Sequence, residues 1–350
     1  MQKRKKKSLF RKFVIAFLVL AVLGGTGMAY EMYLRAYQPN IVLPENGSEK
    51  YIYIPTGADF HQVIQILSES GLLINANSFE WLAATKKYTT NIKPGRYRIN
   101  RNLNNNELIN LLRSGKQTPI QVTFNNLRNK EQFAGRIADQ IETDSVDLLT
   151  YITDTSFLNS NGFTAENVIC LFVPNTYEFY WNTSSEQFVE RMKKEYEAFW
   201  NVDRKTKAKK LQLTPFEIVA LASIVEKEQS RRTEERPMIA GLYLNRIKQK
   251  VKLQSDPTVI FANNDFLIRR VLNKHLEFES PYNTYIYFGL PPGPICIPSI
   301  NAIDAVLNAE EHEYIFMCAK GDASGLHNFA ITNREHNNNR TQYKKNMNFN

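Results

Sequence analysis

One segment of this chain is apolar without interruption, and the rest alternates. Phe13–Tyr30 ("FVIAFLVLAVLGGTGMAY") carries no charge. As a helix it rises ~27 Å at ~1.5 Å per residue, close to the ~30 Å hydrocarbon core of a bilayer. It is longer than the ~7–15-residue core of a secretory signal. A retained transmembrane anchor is therefore favoured, although "GMA" offers a small-x-small cleavage site. Residues 31–48, with Pro39, Pro44 and Gly47, read as a linker.

Beyond the linker the period changes between two and 3.6. "YIYIP" (51–55) alternates as a strand. "GADFHQVIQILSESG" then puts Val63, Ile64, Ile66 and Leu67 on one helical face, between an Asp59 cap and a Gly71 stop. A second helix, "SFEWLAATKKY", starts from a Ser78 cap. "GRYRI" (95–99) reads as another strand and "NNNELINLLRSG" (104–115) as a third helix closed by Gly115. This order marks 49–118 as a small α+β module. Residues 122–141 echo the strand-then-helix pattern weakly. The remainder, 119–350, mixes helical stretches (186–200, 215–250, 301–311) with short strands such as "EYIFMCA" (313–319), so the fold class is α+β throughout. The Asn-rich tail "NREHNNNRTQYKKNMNFN" is expected to fray. At 350 residues the chain is long enough for two domains with appendages.

Charge sharpens the anchor reading and weakens another. The net charge of +9 suggests a nucleic-acid partner until it is located. Lys3, Arg4, Lys5, Lys6, Lys7, Arg11 and Lys12 supply seven of the nine, with no acid among residues 1–12, which leaves +2 for everything else. No nucleic acid is expected. A basic block ahead of an apolar span predicts a cytoplasmic N-terminus and an exported remainder. Cys170, Cys296 and Cys318 are odd in number and match no metal spacing, so they read as small buried hydrophobes.

Candidate chemistry concentrates in "LASIVEKEQS" (221–230). Thr214 at the N-cap, Pro215 at the first helical position and Glu217 at N3 form a capping box that fixes the register. At about 100° per residue Glu228 shares a face with Leu221, Ile224 and Val225, and Glu226 lies with Val219, Ala222 and Ser223. A carboxyl at the end of a bulky apolar stripe is desolvated, holds its proton to higher pH and can serve as a general acid. Glu226 reads as a supporting group. The same spacing fits a solvated helix end, with Arg232 at i+4 keeping Glu228 ionised.

Other constellations are weaker. Ser223 and Lys227 are spaced i, i+4, and the acyl-serine S-x-x-K arrangement would need lysine where Glu226 stands. His327 and His336, nine apart with Glu335 between, fit a hydrogen-bonded pair better than a metal site. No glycine-rich phosphate loop is present, and neither a metal nor a cofactor is expected. The 12% aromatic content, Trp181 included, suits sugar stacking or a core equally.

Several blocks in a fixed order resemble the endolytic murein transglycosylases, the MltG or YceG-like family. They are "KPGRYRI…ELINLLRSGK", "LFVPNTYEF" (171–179), "LASIVEKE" (221–228), "LYLNRI" (242–247), "LQSDPTVIFA" (253–262), "SPYNTYIYFGLPPGPICIPSINAIDAVL" (280–307) and "HNFAITNREHN" (327–337). The resemblance covers nearly the whole chain. One departure is local: the family's acidic residue and glycine before its F-P-x-T-Y block are replaced here by Ile169 and Cys170, with an extra Val173.

The resemblance implies a cytoplasmic tail (1–12), an anchor (13–30), a linker (31–48), a LysM-like subdomain (49–118) and a catalytic domain (119–350). It implies a bacterial inner-membrane protein with a periplasmic catalytic domain, acting as a carbon–oxygen lyase on nascent peptidoglycan beside the cell-wall synthases. It carries the catalytic role onto Glu228. A cleft hypothesis adds Gln254, Asp256, Thr258, Tyr282, Asn283, Thr284 and Tyr285 as substrate-binding residues, although Asp256-Pro257 and Pro291-Pro292-Gly293 also fit loop-shaping turns. Ordinary glycosidases flank the bond with two carboxylates. A lytic transglycosylase manages with one, because the muramic acid's own C6 hydroxyl closes on C1. Two alternatives stay open: a non-catalytic wall-binding scaffold that recruits synthases, and a muramidase that uses water.

Overall fold

The computed structural model describes residues 2–43 and 47–347. It opens with one long helix, α1 (Gln2–Tyr37). Leu9–Tyr37 is long and apolar enough, by length and composition, to cross a membrane. The helix outruns the apolar segment: Glu31–Tyr37, expected as linker, forms its last turns. No glycine or proline follows Gly27 until Pro39, so nothing in the sequence stops it earlier. The residues just past the helix are tied down as well. Pro39 bridges to Asn104 and Ile41 to Leu73. Pro44 lies outside the described residues.

The chain folds as two compact units, one of residues up to 120 together with 178–182, the other of 121–177 together with 183 onward. The first contains β1 (Glu49–Ile54), α2 (Phe60–Glu69), α3 (Ala76–Thr85), β2 (Gly95–Asn100) and α4 (Asn105–Ser114). β1 and β2 pair antiparallel, from Glu49↔Asn100 to Ile54↔Gly95. Helix starts follow local capping chemistry. Asp59 caps α2 with Gln62 as its reciprocal partner, and Asn104 caps α4 with Glu107. α3 begins before the expected Ser78, because the Asn75 side chain takes the Ser78 amide at 2.9 Å and is the true cap. α4 ends where Gly115 turns left-handed (φ +70°). Ile54, Val63, Leu67, Phe79, Tyr97, Leu108 and Leu112 form the core, which also takes in Ala36 from α1.

The second unit carries the larger set. In order come β3 (Ile120–Phe124), α5 (Lys130–Ala138), α6 (Ser145–Thr153), α7 (Thr155–Asn161), β4 (Asn175–Phe179), α8 (Ser185–Phe199), α9 (Val202–Lys210) and α10 (Pro215–Glu228). They are followed by α11 (Arg236–Lys248), α12 (Asp256–Ala262), α13 (Asn273–Leu276), α14 (Ile300–Leu307), β5 (Phe316–Ala319), β6 (His327–Ala330) and α15 (Asn333–Asn346). β3 pairs with β4, and β5 with β6. The stretch expected as one helix over 215–250 is two, broken at 229–235. The stretch expected over 301–311 stops at Leu307.

The tail corrects a composition-based expectation. Asn333–Asn346 is helical rather than frayed: Thr332 and Glu335 form a capping box, and the helix packs on β5 and β6. Weak asparagine propensity is outweighed by the cap and by tertiary contact. Residues 348–350 lie outside the described residues. Cys170 and Cys296 are buried free thiols and Cys318 is half-buried.

α10 is the centre of this unit. Its capping box forms as the sequence predicts, with Thr214 and Glu217 exchanging bonds and Pro215 in the first turn. Every residue from Ile218 to Glu226 is buried. A helix apolar nearly all round belongs inside a core, and α10 lies against α11, α12 and α14.

Candidate active site

Glu228 is the last residue of α10, where the buried helix meets a hollow. Its Oε1 accepts hydrogen bonds from the Tyr243 hydroxyl (2.8 Å) on α11 and from the Ser255 hydroxyl (2.5 Å) just before α12. The residue keeps partial access to solvent, while protein atoms surround its carboxyl. Burial is the main effect and raises its pKa. The two donors pull it back down in part, and the nearby Asp256 charge pushes it up again. Tyr243 is fully enclosed; burial and the adjacent Glu228 hold its phenol protonated, so it stays a donor. With both donors on Oε1, Oε2 is the oxygen left to carry a proton. The group is thus built to hold a proton and to tolerate losing it.

The hollow measures about 310 Å³ and is lined by Glu228, Tyr243, Arg246, Gln254, Asp256, Tyr285, Phe316, Met317 and His336, among others. Three of the seven residues of the cleft hypothesis are here: Gln254, Asp256 and Tyr285. Asp256 accepts the Tyr285 hydroxyl at 2.6 Å. Gln254 sits in the left-handed region (φ +51°), a conformation that costs a non-glycine residue of order 1 kcal/mol and clusters at functional sites. Its backbone N–H donates to Thr284 O, and Arg246 holds the two preceding carbonyls, of Lys252 and Leu253.

The other four do not line the hollow. Thr258, Asn283 and Thr284 are buried and spend their polar groups inside the protein. Thr258 Oγ1 donates to Ser255 O and pairs with Thr284 Oγ1, and Ser255 N donates to Thr284 Oγ1. The Asn283 amide donates to Leu276 O and Phe278 O. The two threonines hold the 253–258 and 280–285 segments together and so place Ser255 under Glu228, while Asn283 ties the second segment to 276–278. Tyr282 packs its ring on Phe261. The reason is chemical: small hydroxyl and amide groups next to tight turns satisfy backbone groups before they can face a ligand.

Glu226, expected as a supporting group, faces the interior. It is buried, and its Oε2 accepts both Ser299 N (2.6 Å) and Ser299 Oγ (2.8 Å), which pins the start of α14 to α10. Arg232 does not reach Glu228; it pairs with Glu234. The expected His327–His336 pair also does not form. His327 Nδ1 bonds Glu235 Oε2 at 2.7 Å, and Glu235 in turn takes the Gln229 amide, fixing the residue after Glu228. His336 instead stacks on Phe316 at the wall of the hollow. Among the described residues no group of three or more His, Cys, Asp or Glu converges to hold a metal ion. Ile169, Cys170 and Val173, where the sequence departs from the family pattern, are all core residues.

Sequence reasoning missed Tyr243 and Ser255. Ser255 stood between two chosen residues, and its small side chain gave no signal. Tyr243 sits in "LYLNRI", fifteen residues from Glu228, and only the packing of α11 on α10 joins them.

The model of the YceG-like family matches residues 52–342. The chain belongs to the YceG-like family. It is 28% identical over 309 residues to a protein of Bacillus subtilis (strain 168) named endolytic murein transglycosylase, covering 83% of this chain and 84% of that protein. It is 26% identical over 344 residues to the endolytic murein transglycosylase of Streptococcus pneumoniae (strain ATCC BAA-255 / R6), covering 88% of this chain and 61% of that one. The crystal structure of a YceG-like protein from Listeria monocytogenes superposes with a TM-score of 0.56 at 28% identity, over 83% of this chain and 98% of the other. Membership of the YceG-like family accounts for the order of the sequence blocks that meet around Glu228.

Proposed function

We propose that this chain is a membrane-anchored lytic transglycosylase that cuts peptidoglycan strands internally, with Glu228 as both acid and base. One observation carries the reading: one carboxyl, its pKa raised by burial and its Oε1 held by two hydroxyl donors, opens into a hollow. The names of the relatives support the substrate class.

Glu228 donates its proton to the glycosidic oxygen as the bond from muramic acid C1 breaks. The resulting carboxylate, steadied by Tyr243 and Ser255, takes the proton of that sugar's C6 hydroxyl as O6 bonds to C1. The new end is a 1,6-anhydro sugar and no water is consumed. Intramolecular closure gains from proximity. Gln254, Asp256 and Tyr285 offer polar groups to substrate hydroxyls. The basic residues ahead of the apolar span favour a cytoplasmic N-terminus. The strand–helix–helix–strand order of the first unit supports a LysM-like reading and a second contact with the glycan.

Asp256 on the same hollow is the observation that favours a hydrolase instead. Digestion in heavy-oxygen water separates the two: anhydro ends one water lighter, without label, support the lyase, and labelled reducing ends overturn it. An anchored scaffold without activity leaves the strands uncut.

The pH profile provides a further test. Activity that needs protonated Glu228 falls as pH rises through its pKa. Tyr243→Phe removes a donor that stabilises the carboxylate, so this limb moves to higher pH. Asp256→Asn removes a neighbouring negative charge and moves it to lower pH. Cleavage rates of the two variants across pH check the signs; shifts in one common direction count against Glu228 as the acid.

A further inference from the structure

A second hollow, of about 210 Å³, is lined by chain neighbours of residues that line the first. Lys227 lines it while Glu228 lines the first, and Pro257 and Ile260 line it while Asp256 lines the first. The last turn of α10 and the first turn of α12 therefore separate the two. Its floor is apolar, from Ile260, Phe266, Ile268 and Ile295 among others, and the polar groups on its lining are two cations. The Arg128 guanidinium lies 4.3 Å over the Phe266 ring, a stacking that holds it in place. Lys227 Nζ donates to Asn126 Oδ1. Among the described residues neither cation forms a salt bridge. Both are half-buried.

Two carboxylate-free cations over an apolar floor suit an anion with an apolar flank better than a sugar, whose hydroxyls would find side-chain donors but no side-chain acceptor there. We propose that this hollow is a subsite for a carboxylate of the peptide stem borne by the muramic acid whose C1–oxygen bond Glu228 helps to break. The inference rests on the glycan-cleaving reading above. Muramic acid carries its stem on C3, two ring positions from the C1 that is cleaved. A stem leaving the first hollow over α12 meets Arg128 and Lys227, with alanine methyls against Ile260 and Ile268. The subsite selects stem-bearing strands over stripped ones and fixes which sugar presents C1 to Glu228.

The test uses full-length protein carrying Glu228→Gln, and measures Kd for three probes: a disaccharide–peptide fragment, the same fragment with its stem carboxylates amidated, and the disaccharide after enzymatic removal of the peptide. The intact fragment is expected to bind at least about tenfold more tightly than either of the others, a difference of about 1.4 kcal/mol. Adding Arg128→Gln and Lys227→Gln is expected to erase that advantage and leave the stripped disaccharide unchanged. Equal binding of the three probes overturns the proposal, and so does a double variant that weakens all three alike. The amidated probe decides the matter without depending on how the variants fold. The wild-type chain is assayed separately for anhydro ends: discrimination without cleavage sinks the lyase reading and leaves the subsite, and cleavage without discrimination does the reverse.

Discussion

Glu228→Gln is expected to lower strand cleavage by about a thousandfold or more while the fold stays intact. Positioned acid–base groups contribute about 10²–10⁴-fold, and here one group is asked to act as both. Glutamine keeps the shape and an oxygen that accepts from Tyr243 and Ser255, but it has no proton to give. The stability prediction runs the opposite way to the activity. A carboxyl whose pKa is raised in the folded state contributes stability below its unfolded value and loses it as pH rises through the folded one. The variant is therefore expected to melt no lower than the wild type at neutral pH, and its stability is expected to lack that decline. Product mass spectrometry and melting curves across pH check both parts; a destabilised, inactive variant would instead point to a structural role.

Arg246→Met is expected to have the largest effect on stability. Arg246 is nearly buried, and its guanidinium donates to Ile315 O (2.6 Å), Lys252 O (3.1 Å) and Leu253 O (2.7 Å). Methionine fills much of the space and leaves three carbonyls without a donor. Each buried unsatisfied group costs about 1–3 kcal/mol, which sums to a loss of at least about 3 kcal/mol, or roughly 6–12 °C in a unit of this size. Two of these carbonyls, Lys252 O and Leu253 O, lie just ahead of the Gln254–Asp256 segment, so cleavage is expected to fall even well below the melting temperature. Calorimetry of the purified variant, with an activity assay in the cold, measures both; an unchanged melting temperature would show that the segment is held by other contacts.

Parts of this site were legible in the sequence because they depend on local chemistry. Thr214, Pro215 and Glu217 fix the register of α10, and from that register Glu228 lines the hollow while Glu226 turns to Ser299. Local capping also explains α2 and α4. It explains the two misjudged starts as well: Asn75 outcompetes Ser78, and Thr332 with Glu335 starts a helix inside an asparagine-rich tail. The illegible part is tertiary. Nothing near Tyr243 or Ser255 announces that they converge on one carboxylate, nor does anything near Arg246 announce that it holds the carbonyls ahead of Ser255. Thr258, Asn283 and Thr284 looked like ligand contacts because polar residues beside turns serve loops and substrates alike. His327 bonds Glu235, 92 residues away in sequence, a partner that only the tertiary fold supplies.

The unbroken passage of α1 into the core of the first unit has a mechanical consequence. Ala36 is buried there, and Asn105 donates to the Arg35 carbonyl at 2.9 Å. A protein tethered by a floppy leash samples every height that the leash allows. On the anchored reading this one has no swivel at the lipid surface, so the tilt of the helix in the bilayer is also the tilt of the module above it. A glycine pair inserted after Tyr37 would turn the mast back into a leash.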